Sequence, residues 1–138
     1  MTSVFDCNII TLNKVKNRAG NLSPIEGIRD IPFEIKRVFY IYDIPGGASR
    51  GAHAHKECHQ LLFAASGSFD VVIQDGSNQR TITLNRANIG LYIPPKIWAA
   101  ETNFSSGAIC LVLTSGEYNE KDYVRNYDDY LAIKNEVQ

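Results

Sequence analysis

The sequence contains little cysteine and little histidine: only three of each occur among its 138 residues. Cys7, Cys58 and Cys110 are odd in number and widely spaced, which argues against a disulfide framework or a CxxC zinc site and predicts free thiols. No apolar run approaches the roughly 20 residues that cross a bilayer, and nothing near the start resembles a signal peptide. We therefore expect a cytoplasmic protein with no membrane partner.

The sequence also lacks an excess of charge of either sign. Its 14 basic and 15 acidic side chains give a net charge of −1, so no basic field exists to attract nucleic acid. Hydrophobic residues make up 44% and charged residues 21%, the ordinary balance of a globular protein. Because domains cluster at about 100–150 residues, we expect a single domain over residues 1–138.

The apolar residues occur in short runs that are separated by turn residues. Lys36–Ile44 is rich in β-branched and aromatic residues, and Gly67 interrupts a later apolar run. The stretch Asp75–Asn78 (DGSN) predicts a hairpin between strands at Phe69–Gln74 and Gln79–Leu84. Such a succession of short strands predicts an all-β protein, either a closed barrel or a double sheet.

The two ends of the chain differ from this pattern. Tyr123, Tyr127, Tyr130 and Leu131 are spaced as one stripe of a short C-terminal helix, which we expect to pack on the strands. The apolar N-terminal run SVFDCNIITL lies outside the alternating strands. One of the two ends is therefore expected to be buried against a second subunit.

The histidines are all found in one segment, RGAHAHKECHQ. His53 and His55 share a face of a strand, because alternate residues do so, and His59 follows four residues later. One interpretation is a set of exposed, solvated side chains. A second is a three-histidine zinc or iron site, since the spacing approaches the first cupin metal motif. However, His59 stands where that motif has its glutamate, and the later stretch GLYIPPKIWAAETN supplies no fourth histidine.

A third interpretation is proton transfer without a metal. Histidine titrates near neutral pH, so His53 and His55 are suited to take a proton from carbon or oxygen and return it elsewhere. Arg50 would then supply a fixed cation for a phosphate or a developing oxyanion.

The chain resembles a known family over about residues 20 to 131. The segments that carry the resemblance are FEIKRVFYIYDIPGGASRGAHAHKECHQLL, ASGSFDVVIQDG, GLYIPPKIW and DYVRNYDDYL. They are similar to the sugar 3,4-ketoisomerases, also called WxcM-like proteins. The resemblance implies a cupin-type jelly-roll β-barrel, usually a homodimer, that moves the carbonyl of dTDP-4-keto-6-deoxyglucose from C4 to C3. In the family the product is aminated to 3-amino-3,6-dideoxyhexoses for surface polysaccharides such as lipopolysaccharide and S-layer glycans.

The resemblance also implies particular site residues, with no metal and no cofactor. His53 and His55 match the family's two active-site histidines, and we expect His53 to act as carbon base with His55 as its acid–base partner. Residues at motif positions near the pocket are expected to bind the dTDP-linked 4-keto-6-deoxy sugar: Arg50, Gln60, Tyr92 and Trp98.

The chain departs from the family pattern at three positions that border the sugar. Phe39 and Ala99 replace, respectively, a common tyrosine and a common histidine or arginine, and Ala19 stands where tyrosine or arginine occurs. These positions bear on the C4 configuration of the product and on the rate. Three alternatives stay open: a 3- or 5-epimerase of the same sugar, a metal-dependent cupin oxygenase, and a non-catalytic cupin that binds sugar nucleotides.

Overall fold

A computed structural model describes residues 2–136 and shows short strands followed by one helix. The strands are β1 (Asn8–Thr11), β2 (Val15–Asn17), β3 (Gly20–Leu22), β4 (Arg37–Ile41), β5 (Arg50–His55), β6 (Gln60–Ser66), β7 (Phe69–Gln74), β8 (Gln79–Leu84), β9 (Ile89–Ile93), β10 (Trp98–Thr102), β11 (Ile109–Thr114) and β12 (Tyr123–Val124). The helix α1 spans Tyr127–Glu136, and single 3-10 turns precede β1 at Val4–Asp6 and β12 at Glu120–Asp122. No helix within residues 2–136 has the length and apolar character needed to cross a membrane.

Two antiparallel five-stranded sheets form the body of the molecule. One has the order β1-β9-β6-β11-β4 and the other β12-β5-β10-β7-β8, while β2 and β3 form a separate hairpin. The largest apolar cluster contains residues of both sheets, among them Leu62 and Val112 from the first and Phe69 and Val71 from the second. The predicted all-β jelly roll with a short C-terminal helix is confirmed. Its two sheets pack face to face and, within the described residues, do not join into a closed barrel.

The β7–β8 hairpin confirms the prediction made from the DGSN turn. Phe69 pairs with Leu84 and Gln74 with Gln79, so both strands have the predicted bounds. The buried Asp75 carboxylate accepts hydrogen bonds at 2.8 Å from the backbone N–H groups of Ser77 and Asn78, which closes the turn. This arrangement is the side-chain turn that aspartate favours.

The C-terminal segment forms a strand before it forms a helix, so the prediction of a helical stripe was wrong at Tyr123. Tyr123 pairs with His55, because the edge of β5 offers backbone hydrogen-bonding groups to this segment. The rest of the stripe does belong to α1, where Tyr130 is 1% exposed. Its hydroxyl proton is shared between the carbonyl oxygens of Gln74 and Lys96, which lie 3.1 and 3.0 Å from the hydroxyl oxygen.

At the N-terminus, β1 pairs with β9 of the same chain, Asn8 opposite Tyr92. The three cysteines are buried and unpaired, as the sequence predicted.

Gly67 separates β6 from β7 in a way that no other residue type permits without strain. Its φ of +68° is in the left-handed region, and a Cβ atom there would lie 2.5 Å from Ser105 Oγ and 2.8 Å from Ala108 Cα. Gly107 has a similar φ of +75°, but a Cβ atom would meet nothing within 4 Å. The two glycines therefore differ in steric surroundings while sharing the same backbone conformation.

We expect Gly67→Ala to destabilise the protein much more than Gly107→Ala. Both variants carry the left-handed strain of about 1–2 kcal/mol, and Gly67→Ala adds about 1–3 kcal/mol of overpacking against backbone. Urea unfolding of the two variants measures the difference. Equal midpoints for the two variants would contradict the close approach of Gly67 to Ser105 and Ala108.

Candidate active site

A cavity of about 470 Å³ opens between the two sheets. Apolar side chains from β4, β6, β9 and β11 form part of its wall. The wall also contains eight residues with polar or charged side chains: Tyr40, Tyr42, Arg50, His53, Gln60, Glu101, Tyr123 and Arg125. A concave pocket in which apolar walls accompany convergent polar groups is the usual form of a small-molecule site.

A β-bulge in β5 turns both Arg50 and His53 toward this cavity. Across the β5–β10 pair, His53 lies opposite Ala99 and Arg50 lies opposite Glu101. The chain therefore advances three residues along β5 over the length in which it advances two along β10. The extra residue is accommodated at Gly51, whose φ is +77°. A bulge with a left-handed glycine re-aims the neighbouring side chains. Arg50 and His53, which alternation alone would place on opposite faces, therefore line the same cavity.

The imidazole of His53 is held neutral in the cavity wall. Burial, together with the neighbouring His55 and Arg125, lowers the pKa of His53 to about 4, and Glu120 opposes part of this shift. The two histidine rings lie edge to face with centroids 5.1 Å apart, and both contact the ring of Tyr123. A neutral imidazole at neutral pH is able to accept a proton.

His55 lies behind His53 and is fixed by an acidic partner. Its Nδ1 is 2.8 Å from Oδ2 of Asp122, and the other oxygen of that carboxylate accepts from the backbone N–H of Glu57. Because a carboxylate only accepts, we assign the proton to Nδ1. Burial lowers the pKa of His55, and its hydrogen bond and ion pair with Asp122 oppose that shift. His55 is 3% exposed and is not among the residues that line the cavity.

The C-terminal segment supplies two cavity residues that the sequence analysis did not select, Tyr123 and Arg125. The Arg125 guanidinium makes two hydrogen bonds with Glu120, at 2.6 and 2.9 Å, and stacks 4.3 Å from the Tyr123 ring centroid. Arg37 donates to the Tyr123 hydroxyl at 3.0 Å. Both residues belong to the DYVRNYDDYL segment, which was used for the family resemblance. Because a helix was predicted there, Tyr123 was not expected to lie next to the histidines.

The structure separates the four predicted binding residues into two groups. Arg50 and Gln60 line the cavity. Tyr92 lies on the opposite face of its strand from the core residues Leu91 and Ile93, and packs against Phe33. Trp98 packs against tyrosines of the helix, because β10 directs its neighbour Ala99 into the cavity instead.

The three histidines do not gather into one set of ligands. His59 hydrogen-bonds through Nδ1 to the Tyr92 hydroxyl at 2.7 Å and stacks on Phe33, on the outer face of the first sheet. Among the described residues, His55, Cys58 and Asp122 bring three potential ligand atoms within 4.8 Å of one another. In that group, His55 and Asp122 already satisfy each other by a hydrogen bond.

Two of the three departures from the family pattern lie in the cavity wall. Phe39 and Ala99 both line it, and the Arg37 guanidinium lies 4.9 Å from the Phe39 ring centroid. Ala19 lies in the turn of the β2–β3 hairpin, where its backbone N–H donates to Asn17. It is therefore exposed and outside the cavity of its own chain.

The chain is similar to known proteins over most of its length. The family model described as WxcM-like, C-terminal (FdtA) matches residues 5–135. A TDP-4-oxo-6-deoxy-α-D-glucose-3,4-oxoisomerase from Aneurinibacillus thermoaerophilus is 42% identical over 122 residues, covering 88% of each chain. A 3,4-ketoisomerase from Helicobacter canadensis has a TM-score of 0.92 at 46% identity, covering 94% of this chain and 98% of that one.

A sugar 3,4-ketoisomerase from Thermoanaerobacterium thermosaccharolyticum, solved in complex with TDP, gives a TM-score of 0.93 at 38% identity, covering 96% of this chain and 97% of that one. A histidine-to-asparagine variant of that enzyme was solved with TDP-4-keto-6-deoxyglucose. Both the family model and the relatives agree with the resemblance carried by the histidine segment. The chain therefore belongs to the WxcM-like family of sugar 3,4-ketoisomerases.

Proposed function

We propose that this protein moves the carbonyl of a TDP-linked 4-keto-6-deoxyhexose from C4 to C3. The observation that carries the proposal is the neutral His53 imidazole in the wall of a cavity shared with Arg50, Gln60 and Arg125. The relatives named above are 3,4-ketoisomerases, two of them described with a TDP-sugar or TDP, and one variant was solved with TDP-4-keto-6-deoxyglucose itself. The site thus combines a proton acceptor with a cation, Arg50, that is unpaired within the described residues and is suited to a nucleotide diphosphate.

The reaction requires proton transfer at two neighbouring carbons. The carbonyl at C4 acidifies the C3 proton, and its removal gives an enediolate that is reprotonated at C4. His53 is the group in the cavity wall best suited to take and return this proton, because burial keeps it unprotonated at neutral pH. The enediolate oxygen is stabilised by the cations and hydrogen-bond donors that line the cavity.

His55 acts through His53 rather than on the sugar. It was predicted as an acid–base partner, and its ring packs against His53 while Asp122 fixes its orientation. We assign it the role of a positioning residue, since it lies behind the cavity wall. The Asp122–His55 pair holds the strand that carries His53 at a fixed angle to the sugar.

Arg50 is the cation best placed for the diphosphate. Arg125 is already neutralised by Glu120, whereas no ion pair engages Arg50 among residues 2–136. Arg50 also stands at the exposed end of β5 while lining the cavity. The 3-keto product has the carbonyl that amination at C3 requires, so an aminotransferase reaction that yields 3-amino-3,6-dideoxyhexoses is the expected next step.

His53→Asn should abolish most of the isomerisation. Asparagine has similar reach but does not accept a proton, so turnover is expected to fall by about 10²–10⁴-fold, the contribution of a general base. Affinity for TDP should stay unchanged, because His53 faces the sugar. Conversion of TDP-4-keto-6-deoxyglucose followed by NMR measures the rate.

The matched control is His59→Asn, which removes a histidine outside the cavity. It is expected to retain turnover close to that of the unmodified protein. Normal turnover in His53→Asn would contradict the assignment of the base.

Arg50→Ala should weaken the binding of TDP alone. A hydrogen bond to a charged group contributes about 1.5–3 kcal/mol, so the dissociation constant is expected to rise roughly tenfold to 100-fold. Arg29→Ala is the control, because that side chain is 78% exposed and paired with Glu26. Isothermal titration calorimetry with TDP measures the dissociation constant of each variant. Equal affinities for the two variants would exclude a diphosphate contact by Arg50.

We also propose that the protein is a homodimer that buries its N-terminal face. Apolar side chains exposed in the single chain concentrate in the first 28 residues: Phe5, Ile9, Val15, Leu22 and Ile28 are 56–71% exposed. In addition, β1 is an edge strand of the first sheet, so its outer backbone groups are free to pair within the described chain. An exposed apolar face beside an open edge is typical of a protein interface.

Val15→Asp should therefore shift the protein toward the monomer. A charge placed in a buried apolar interface is costly, so the mass in solution is expected to fall from twice 15.4 kDa toward 15.4 kDa. Val38→Asp is the control, since Val38 is 54% exposed on the opposite edge strand of the same sheet. Light scattering coupled to size exclusion measures the mass. A monomeric unmodified protein, or a dimer lost only in Val38→Asp, would refute the proposed interface.

A further inference from the structure

Glu101 is a buried carboxyl that faces the cavity and has no partner. It is 6% exposed and belongs to the cavity wall. No hydrogen bond or ion pair reaches its carboxyl from any residue in the range 2–136. Buried polar side chains normally have such a partner, and here the cavity that Glu101 lines is the place where a ligand can supply it. The carboxyl is thus available to a ligand in the cavity.

The fold leaves space for this carboxyl at a single glycine. A Cβ atom at Gly51 would lie 2.8 Å from each of the two Glu101 carboxyl oxygens. Gly51 is the bulge residue that also directs Arg50 and His53 toward the cavity. One local feature of β5 therefore arranges all three side chains around the same space.

Glu101 and His53 line the same cavity from two neighbouring strands of one sheet, so they would reach different parts of a bound sugar ring. Ala99, opposite His53, and Glu101 are alternate residues of β10, so their side chains share a face at a spacing of roughly 6.6 Å along the strand. In a pyranose chair with equatorial hydroxyls, C–H bonds project from the ring face whereas the oxygens lie at its edge. A base above the ring is therefore poorly placed for the protons on the oxygens.

We propose that Glu101 is the acid–base residue that carries the proton between the sugar oxygens O4 and O3. The proposal rests on the proposed ketoisomerase function and adds a residue to it. Burial raises the pKa of the Glu101 carboxyl to about 7, an effect that the nearby Arg50 partly opposes. A substantial fraction of the molecules therefore carries the proton on Glu101 at neutral pH.

The two half-reactions balance with these two residues. In the first, His53 takes the C3 proton, the C3–C4 double bond forms, and the O4 oxygen of the resulting enediolate receives the proton of Glu101, which gives a neutral enediol. In the second, the Glu101 carboxylate takes the O3 proton, the C3 carbonyl forms, and C4 receives the proton from His53. Both residues end in their starting protonation states, and no oxidant, reductant or metal takes part.

Glu101→Gln separates the oxygen step from the carbon step. The amide still donates a hydrogen bond to O4, but it cannot remove the O3 proton. With TDP-4-keto-6-deoxyglucose in deuterated water, isomerisation is expected to fall by about 100-fold or more, whereas exchange of the C3 proton should fall by about tenfold at most. His53→Asn should lose both reactions together, which distinguishes the two roles.

Two further variants distinguish loss of the carboxyl's chemistry from a disturbance of the fold around Glu101. Glu101→Asp keeps the carboxyl one methylene shorter and is expected to isomerise at least about tenfold faster than Glu101→Gln. Glu34→Gln changes an exposed glutamate and is expected to match the unmodified protein.

Near-normal isomerisation by Glu101→Gln, equal loss of exchange and isomerisation, or no advantage of Asp over Gln would each overturn the role of Glu101. If instead the unmodified protein neither exchanges the C3 proton nor isomerises the sugar while binding TDP, the proposed function itself fails.

Discussion

The pairing of β5 with two partners is the constraint on which the rest of the site depends. β10 on one side places Ala99 and Glu101 across from β5, and β12 on the other side places Tyr123 against His55. The bulge at Gly51 is possible because glycine tolerates a φ of +77°. Without these two pairings and the bulge, His53, Arg50 and Glu101 would not face one space, and His55 would not lie behind His53.

Desolvation is the main physical effect within that space. It lowers the pKa of His53 to about 4 and raises that of Glu101 to about 7, so both groups favour their neutral forms. Holding polar groups in an apolar wall without full hydrogen bonding costs stability, which a functional site commonly accepts. The apolar contacts of the sandwich, centred on residues such as Phe69 and Val71, offset that cost.

The sequence was sufficient for the sheet architecture and for part of the site. The DGSN turn predicted the β7–β8 hairpin to the residue, because turn chemistry is local, and alternation placed His53 and His55 together. Glu101 was missed because its position depends on register across two strands. Tyr123 was assigned to a helix because its spacing of four residues from Tyr127 fits a helical stripe. The same spacing fits a short strand followed by a helix, and it is the pairing of Tyr123 with the edge of β5 that distinguishes the two.

The reaction of the unmodified protein with TDP-4-keto-6-deoxyglucose in deuterated water, followed by proton NMR, tests the central claim most directly. We expect loss of the C3 proton signal and the appearance of a 3-keto sugar whose C4 carries hydrogen or deuterium. Deuterium at C3 or C5 with the carbonyl still at C4 would indicate an epimerase instead. If the sugar stays unchanged although the protein binds TDP, the protein is a binding protein and not an enzyme. Either result would contradict 3,4-ketoisomerase activity.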